Sequence, residues 1–215
     1  MKPLLVLAAF PVVLMGWASC SHSGTGHAAL PDPRAVDKSV PEYKNPFHPS
    51  TYAHFVARKD YRKTYDVYKD DTLLNRQPKK SRKIFVCLDE QRGQYLVDGL
   101  VAMDFPLSSG VKAYPTKTGD YAVISKKEDH ASNLYGKMYD AEGKCINYNA
   151  ESTDPIPEGG RFDGSPMPYW QRLTNAGLGL HVGKVRRHPV SHGCVRLPRN
   201  VAEILYRQTS IGTPV

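Results

Sequence analysis

Residues able to perform covalent chemistry are concentrated between positions 177 and 197. His181 ends a short apolar run flanked by glycines, and one loop later the sequence Ser-His-Gly-Cys places a thiol, Cys194, at a glycine turn. A thiol attacks a carbonyl as the thiolate, so it needs a base to take its proton, and the oxyanion that forms needs preorganised donors. An imidazole and the backbone amides of a glycine turn supply these functions, so the stretch predicts acyl transfer through a cysteine nucleophile.

The spacing of these residues indicates how such a site would be assembled. Residues 177–182 have the pattern of a strand that presents His181 at its end, and the loop 183–190 is long enough to fold back and bring Cys194 to the imidazole. In that arrangement His181 is first the proton acceptor and then the proton donor. Gly193 has no Cβ, so substrate can approach the main chain, and the amides of Gly193 and Cys194 are the predicted oxyanion donors.

Three neighbouring side chains have supporting roles in this prediction. His192, beside the turn, would bind substrate or support the thiolate, and Ser191 would brace the turn or His181, because a thiolate is a better nucleophile than a hydroxyl. Arg196 follows the nucleophile by two residues, where its guanidinium would either pair with a substrate carboxylate or hold the loop through backbone carbonyls. Both roles of Arg196 remain open at this point.

Two other interpretations compete with this one. A lone cysteine is ordinarily a small buried hydrophobe, but Cys194 directly follows His-Gly and a second histidine lies within reach. A zinc site built from His181, His188, His192 and Cys194 would have none of the spacings typical of structural zinc fingers or of the H-E-x-x-H helix. The prediction is therefore a nucleophile that uses no metal and no organic cofactor, with His188 in a solvated loop.

A longer motif around these residues resembles that of a known family. The run Ser-His-Gly-Cys-Val-Arg-Leu at residues 191–197, with Leu180 and His181 upstream, resembles the signature of the L,D-transpeptidase family, the YkuD domain, which remodels bacterial peptidoglycan. The family commonly has Gly directly after the first His, whereas here Val182 intervenes. Further pieces follow the family's order and extend the resemblance over residues 82–215: Ser109 with Gly110, residues 115–121 (PTKTGDY), residues 167–170 (MPYW) and residues 212–215 (GTPV).

The resemblance implies both a fold and an activity. The fold would be mainly β, a mixed β-sheet sandwich with a few short helices and a lid loop. Cys194 would form a thioester with a peptidoglycan stem peptide, and an amine would resolve it to form a 3-3 crosslink or, from a lipoprotein acceptor, to anchor a wall protein. An L,D-carboxypeptidase or endopeptidase that hydrolyses the same stems is one alternative. A non-catalytic wall-binding lipoprotein is another, against which His181 and Cys194 both argue.

The composition predicts one catalytic domain with a basic character. The 215 residues are 40% hydrophobic and carry a formal net charge of +8. A unit of about 130 residues can bury a core unaided, so one domain plus a tail accounts for the length, and a monomer is expected. The charge favours a polyanionic neighbour such as cell-wall polymer or lipid headgroups. Nucleic acid is not a predicted partner, because no basic module interleaved with aromatic residues is present.

The first 20 residues resemble an export signal. Lys2 precedes the apolar run of residues 4–15, which is too short for a comfortable membrane span, and Trp-Ala-Ser-Cys then ends the segment at Cys20. Small residues directly before a cysteine resemble a bacterial lipobox, which would make Cys20 the lipidated first residue of the mature protein. An ordinary cleaved signal or an uncleaved anchor is the alternative. The expected location is the cell envelope or periplasm, with a lipid anchor in the membrane.

Residues 21–81 would connect this signal segment to the catalytic domain. Residues 21–50 lack hydrophobic periodicity and indicate a tether, whereas residues 51–74 have partly helical spacing that predicts one or two short helices. Between Arg58 and Lys83, ten Lys or Arg and four Asp give a net charge of +6. This charge indicates either a solvated linker or a surface-binding segment.

From residue 84 the pattern changes to strands. Three strand signals lie between residues 84 and 105, and Asp98 with Gly99 is a two-residue hairpin signal before the third. Residues 126–166 are polar and rich in Gly and Pro, which predicts a long loop between strand signals. By the resemblance, this loop is a lid over the substrate cleft.

The region around the site contains two further predicted features. Tyr169 and Trp170 are predicted to line the groove for the acyl donor, with packing in the core as the alternative. Asn200 and Glu203 resemble a capping box at the start of a short helix. That helix would back the loop that carries Cys194.

The four cysteines have different predicted roles. Cys20 would carry lipid and Cys194 the chemistry, which leaves Cys87 and Cys145 as the candidates for an intramolecular disulfide in an oxidising envelope. The stronger interpretation of Cys87 is an ordinary buried strand residue, because it alternates with its neighbours as such residues do.

Overall fold

The computed structural model describes residues 32–77 and 81–215, so the predicted signal segment with Cys20 lies outside the described residues. Within these ranges strands predominate, as the family resemblance implied, and no helix is long and apolar enough to cross a membrane. The helices are α1 (Tyr52–Ala57), α2 (Asp71–Asn75) and α3 (Arg199–Gln208). The strands are β1 (Tyr68–Lys69), β2 (Arg82–Cys87), β3 (Arg92–Val97), β4 (Leu100–Pro106), β5 (Ser125–Lys127), β6 (Ala131–Tyr139), β7 (Cys145–Glu151), β8 (Arg161–Pro166), β9 (Trp170–Arg172), β10 (Gly179–Val182) and β11 (Val195–Leu197).

The first sheet has the strand order β1-β4-β3-β2 and is antiparallel throughout. Asp98 and Gly99 form the two-residue turn between β3 and β4, and their φ angles are 51° and 80°. A tight hairpin between right-twisted strands requires two such left-handed residues, so the predicted hairpin is confirmed. Large side chains of these strands are buried completely, among them Ile84, Tyr95 and Phe105.

The second sheet has the strand order β11-β10-β9-β5. It carries the predicted base on β10, and the predicted nucleophile lies directly before β11. Strand β10 is parallel to β11 and antiparallel to β9, and β9 is antiparallel to β5. Two parallel strands need a long connection because both run in the same direction. Residues 183–194 make that connection. The crossover therefore contains both the loop of residues 183–190 and the turn that carries the predicted nucleophile.

The main hydrophobic core joins the first two sheets to α3. It includes Leu107 after β4, Leu180 and Val195 of the second sheet, and Leu205 of α3, each at most 2% exposed. The C-terminal residues join β2 to the chain that leads into β5. The Ile84 amide of β2 donates to the Pro214 carbonyl at 2.9 Å, and Thr213 and Val215 accept backbone hydrogen bonds from the chain before β5. The sequence motif at residues 212–215 therefore has a structural role.

Helix α3 begins differently from the prediction. Pro198 occupies the N-cap position and no side chain caps the helix, so the predicted capping box of Asn200 and Glu203 is wrong. Proline has a fixed φ that suits a helix start, and Asn200 consequently falls inside the first turn. Glu203 instead forms an ion pair with Arg207 one turn later, at 2.7 Å.

Residues 126–166, predicted to form a lid loop, are mostly β structure. Strand β6 is the centre of a third sheet and pairs antiparallel with β7 and β8. Against β7 its register shifts between Gly136 and Met138 and again between Met138 and Tyr139. Such irregularities interrupt the two-residue alternation by which a strand is recognised in a sequence. The prediction of an irregular loop is therefore wrong for this segment.

A buried ion pair within the first sheet is the point at which the N-terminal segment attaches to that sheet. Arg92 Nε donates to Asp104 Oδ1 at 2.6 Å, and the two side chains are 2% and 0% exposed. The hydroxyl groups of Tyr52 and Tyr61 donate to the other carboxylate oxygen of Asp104 at 2.7 and 2.8 Å. A buried charge is tolerated when it is paired and its remaining hydrogen bonds are satisfied, and here residues from both segments supply them.

The same segment also contacts the loop that precedes the nucleophile. The Thr64 carbonyl accepts a hydrogen bond from Arg92 Nη1 at 3.2 Å and another from Arg187 Nη1 at 3.0 Å. Arg187 has a φ of 55°, and its Nη2 donates to the Glu90 carbonyl at 3.0 Å. One carbonyl of the N-terminal segment thus holds a strand of the first sheet and residues 183–190 together.

Residues 32–50 are attached to α1 rather than extended from it. Lys38 Nζ donates to the Val56 carbonyl at 2.6 Å, and the Tyr43 hydroxyl donates to the Ala57 carbonyl at 2.8 Å. The part of the predicted tether that the structure describes is therefore packed on the protein. The short helices predicted for residues 51–74 are confirmed as α1 and α2, whose N-caps are Thr51 and Asp70.

The two candidate disulfide residues belong to different sheets. Cys87 is buried in β2, whereas Cys145 lies in β7, and they are not joined to each other. The Cys145 thiol donates instead to the Asn147 carbonyl at 3.6 Å. Cys87 has the position of an ordinary strand residue facing the interior.

Candidate active site

The pairing of β10 with β11 brings the predicted catalytic side chains to one face of the second sheet. His181 lies directly opposite Arg196, and Cys194 precedes Arg196 by two residues. Paired residues, and residues two apart along a strand, project from the same face. All three side chains line a single cleft, whereas the alternate pair, Leu180 and Val195, faces the core.

His181 is a buried, neutral imidazole. Only 7% of its surface is exposed, and burial lowers its pKa to about 4, with the charge of Arg196 acting in the same direction and the hydrogen bond to Val182 opposing it. Nδ1 lies 2.7 Å from the Val182 carbonyl oxygen, which can only accept a hydrogen bond. Nδ1 therefore carries the ring proton, and Nε2 is available as a proton acceptor.

Cys194 is a neutral thiol in the resting site. Burial raises its pKa, while a hydrogen bond from the Gly179 backbone and the charge of Arg196 oppose that increase. Sγ donates to the Gly177 carbonyl at 3.3 Å, and within the described part of the chain it has no hydrogen bond to His181. The resting pair is thus a thiol and an imidazole without charge, and the thiol must turn away from Gly177 to reach its base.

Ser191 organises the turn that carries the nucleophile. Its hydroxyl donates to the Cys194 carbonyl at 2.5 Å and accepts from the Gly193 amide at 3.1 Å. Gly193 has a φ of 114°, a backbone conformation that residues with a Cβ rarely adopt. Because Ser191 engages the Gly193 amide, that amide is not free in the resting site for the oxyanion role that the sequence suggested.

Two short motifs upstream support the same turn. Thr116 Oγ1 accepts from the Gly110 amide at 2.8 Å and donates to the Gly193 carbonyl at 2.6 Å. The Ser109 carbonyl accepts from the Ser191 amide at 3.0 Å. The Ser-Gly and Pro-Thr dipeptides that stood out in the sequence thus hold the nucleophile turn from outside.

Two groups of aromatic rings line the cleft. The His130 ring lies 5.0 Å from Trp170, which in turn lies 5.9 Å from His181, measured between ring centroids. On another wall, His192 stacks on Tyr135 at 4.4 Å with an interplanar angle of 19°. His192 therefore lines the cleft beside the nucleophile turn, where its predicted supporting role would be exercised.

Tyr169 and Trp170, predicted together as groove residues, have different positions. Trp170 is 3% exposed and lines the cleft, and a Cβ on Gly179 would come 2.4 Å from its ring, so glycine is required there for the close approach. Tyr169 has a φ of 55° and its ring packs against Tyr206 of α3 at 5.6 Å. Tyr169 packs against the hydrophobic core and does not line the cleft, so its placement is the core alternative and differs from the predicted groove position.

Arg196 presents its guanidinium to the cleft. A Cβ on Gly183 would lie 2.8 Å from the Arg196 side chain, so the glycine lets that side chain lie against the main chain. Burial lowers the pKa of Arg196, and nearby Cys194 opposes this. No carboxylate pairs with Arg196 among the residues that the structure describes. The guanidinium can therefore bind a carboxylate of a ligand.

Of the four residues weighed as a zinc site, His181, His192 and Cys194 line the cleft but His188 does not. His188 is exposed, and its Nδ1 contacts the neighbouring Pro189 carbonyl oxygen at 3.3 Å. In residues 32–77 and 81–215 no group of three or more His, Cys, Asp or Glu has the geometry to hold a metal ion.

The cleft has a volume of about 660 Å³, and the third sheet supplies a large part of its lining. Sequence reasoning did not identify these residues, because distant strands and loops bring them together and no local spacing marks them. One signal appears only in three dimensions: His130 Nδ1 is buried without a hydrogen-bond partner in the described residues, so it can accept or donate a bond to a ligand. The charged and ring-bearing residues that were missed are Lys117, Tyr121, His130, Tyr135, Tyr148, Glu151, Arg172 and Lys184.

Comparison with protein families identifies the catalytic region. Residues 81–215 match the model of the YkuD family, the L,D-transpeptidase catalytic domain. A curated relative, the probable L,D-transpeptidase 3 of Mycobacterium tuberculosis, is 32% identical over 117 residues, which are 51% of this chain and 36% of the relative. The chain therefore spans little more than a third of that relative's length.

Two solved structures to which part of the chain is similar are also named L,D-transpeptidases. The L,D-transpeptidase of Mycobacterium smegmatis has a TM-score of 0.48 at 22% identity, over 62% of this chain and 57% of its own. The L,D-transpeptidase of Enterococcus faecium has a TM-score of 0.46 at 27% identity, over 63% and 49%. The match to the family model is what decides the assignment. The chain belongs to the YkuD family of L,D-transpeptidase catalytic domains.

Proposed function

We propose that the protein is an L,D-transpeptidase that acts on peptidoglycan stem peptides through a cysteine thioester. The observation that supports this most directly is that His181, Cys194 and Arg196 line one cleft from paired strands. Membership of the L,D-transpeptidase family supports the substrate class. A base, a nucleophile and a cation that can bind a carboxylate are then available to a single bound peptide.

In the first half-reaction, Cys194 attacks the carbonyl of the third residue of a stem tetrapeptide, meso-diaminopimelate or its equivalent. The thiol proton passes to Nε2 of His181 as the S–C bond forms and the oxyanion develops. Collapse breaks the C–N bond to the terminal D-Ala, and the imidazolium gives its proton to the leaving amine. Burial favours this second transfer, because an imidazolium with a pKa of about 4 releases its proton more readily than one with the ordinary pKa of 6.5.

Backbone amides at the nucleophile turn would stabilise the oxyanion. The Cys194 amide is the first donor in this proposal, and the Gly193 amide joins it when Ser191 shares its hydrogen bond. Ser191 acts by holding the turn, and His192 by lining the cleft. Arg196 pairs with a carboxylate of the donor stem.

In the second half-reaction, an amine resolves the thioester. Its nitrogen attacks the carbonyl, the C–S bond breaks, and the proton of the amine passes through His181 to the thiolate of Cys194. The side-chain amine of a neighbouring stem gives a 3-3 crosslink, and a lipoprotein lysine gives an anchored wall protein. Water gives a trimmed tripeptide, the product of an L,D-carboxypeptidase.

We further propose that the protein is exported and lipidated at Cys20. The apolar run of residues 4–15 and the small residues before Cys20 support this. Cys20→Ala should move the protein from the membrane fraction to the soluble envelope fraction. Retention of the variant in the membrane after removal of the apolar segment of residues 4–15 would contradict lipidation at this residue.

Incubation of the purified protein with defined muropeptides tests the enzymatic proposal. Mass spectrometry separates three outcomes: a crosslinked dimer supports transpeptidation, a trimmed tripeptide supports hydrolysis, and unchanged substrate supports a non-catalytic wall-binding protein. Cys194→Ala should lose both the product and the acyl-enzyme adduct while its circular dichroism spectrum stays that of the wild type. Turnover in that variant would refute Cys194 as the nucleophile.

A further inference from the structure

The charges that line the cleft are distributed unevenly. Four cations come from separate parts of the fold, namely Lys117, Arg172, Lys184 and Arg196, whereas Glu151 is the single carboxylate among the described lining residues. Glu151 is exposed and forms no ion pair within the part of the chain that the structure describes. An isolated carboxylate in a cationic cleft is available to a positively charged ligand.

Glu151 lies close to the nucleophile turn through two contacts. It is the last residue of β7, and its Cα partner on β6 is Tyr135. The Tyr135 ring stacks on His192, which precedes Cys194 by two residues. Burial is the main cause that raises the pKa of Tyr135, and the negative charge of Glu151 raises it further. Tyr135 thus links Glu151 to the residue beside the nucleophile turn.

The backbone keeps Glu151 at this place. Its amide donates to Asp154 Oδ2 at 2.9 Å, and the Ser152 amide donates to the Leu134 carbonyl at 2.9 Å, which ties the end of β7 to β6. The side chain therefore projects from an anchored strand end rather than from a free loop. A carboxylate held in this way can define a binding position.

We infer that Glu151 binds the ammonium group of the acceptor amine and so forms an acceptor subsite in the cleft. The inference rests on the proposed function and makes it more specific. The two substrates of a transpeptidase differ in charge at their reacting ends: the donor stem presents carboxylates, which suit the cations, and the acceptor presents a primary amine, which suits Glu151.

Such a subsite would decide how the thioester is resolved. The acceptor enters as an ammonium ion, binds Glu151, and loses one proton to solvent before its nitrogen attacks the thioester carbonyl. The C–N bond then forms, the C–S bond breaks, and the second proton passes through His181 to the Cys194 thiolate. Water has no charge for Glu151 to attract, so the carboxylate raises aminolysis relative to hydrolysis.

The ratio of aminolysis to hydrolysis tests this inference. The purified protein is given a stem tetrapeptide as donor and an isotope-labelled stem tripeptide, with its free side-chain amine, as acceptor. Mass spectrometry then quantifies crosslinked dimer against unlabelled trimmed tripeptide. Glu151→Gln keeps the shape of the side chain and removes its charge. Glu158→Gln is the matched control, because Glu158 lies in the β7–β8 connection but does not line the cleft.

We expect Glu151→Gln to lower the dimer-to-tripeptide ratio about fivefold or more, as the loss of a charge-assisted contact predicts. Glu158→Gln should keep the wild-type ratio. An unchanged ratio in Glu151→Gln, an equal fall in both variants, or a wild type that only hydrolyses its thioester would each overturn the acceptor subsite. Absence of an acyl adduct on Cys194 in the wild type would instead overturn the proposed function itself.

Discussion

Acidification is expected to destabilise this protein through His181. The folded protein holds the imidazole neutral, because burial lowers its pKa from 6.5 to about 4. The unfolded chain exposes the ring, which then takes up a proton near its ordinary pKa. Between these two values the unfolded state binds more protons than the folded state. The stability contributed by neutral His181 is therefore complete above the unfolded pKa and is lost as the pH falls through the folded one.

The size of the effect follows from the shift. A change from 6.5 to about 4 corresponds to about 3 kcal/mol of unfolding free energy, at about 1.4 kcal/mol per pKa unit. Urea unfolding at about pH 7.5 and about pH 4 measures this loss, and His181→Asn is the matched control because its side chain does not titrate. We expect the wild type to lose about 3 kcal/mol more than the variant between the two conditions.

A titration of the His181 ring by NMR measures the same quantity independently. An equal loss of stability in wild type and His181→Asn, together with a ring that titrates near 6.5, would refute a buried neutral base. A ring pKa above 6.5 would indicate that His181 and Cys194 form an ion pair at rest. Either result would require a different first step for the proposed reaction.

Three further substitutions test separate parts of the structure. Asp104→Ala leaves the charge of Arg92 buried without its partner, so we expect a loss of about 3–5 kcal/mol in urea unfolding, and a loss below about 1 kcal/mol would contradict the role of the pair. Gly179→Ala places a Cβ 2.4 Å from the Trp170 ring and 2.6 Å from the Gln171 carbonyl oxygen and should lose about 1–3 kcal/mol, whereas wild-type stability would mean that both the ring and this backbone can shift. Arg196→Gln should raise the KM for a tetrapeptide donor about tenfold or more but affect an amidated donor less. Equal effects on both donors would assign Arg196 to support of the loop.

The fold was predictable where its signals are local. Asp98 and Gly99 mark their hairpin because both left-handed residues are adjacent in the sequence. The packing of the N-terminal segment has no such signal, since Tyr52 and Tyr61 reach Asp104 across 52 and 43 residues. Strand β6 was missed for another reason: its register shifts break the alternation that identifies a strand.

The residues of the candidate site were likewise predictable only where they lie near one another in the sequence. His181, Cys194 and Arg196 were recognisable because one crossover brings them together within a short stretch. The cleft's third-sheet residues, such as Glu151, could not be identified from the sequence, because their place depends on the pairing of β6 with β7. The hydrogen-bond partners within the site were not predictable either. The sequence does not indicate that the Gly193 amide donates to Ser191 in the resting site.

The carbonyl of Thr64, which holds both Arg92 and Arg187, has a practical consequence for anyone preparing this protein. A recombinant fragment cut at residue 81, where the family match begins, would lack that carbonyl and both tyrosines that bind Asp104. The ion pair of this fragment would face water, and residues 183–190, which precede the nucleophile, would lose an attachment point. Inhibitor screens should therefore use protein that starts upstream of α1, since the shorter piece would present a differently shaped target.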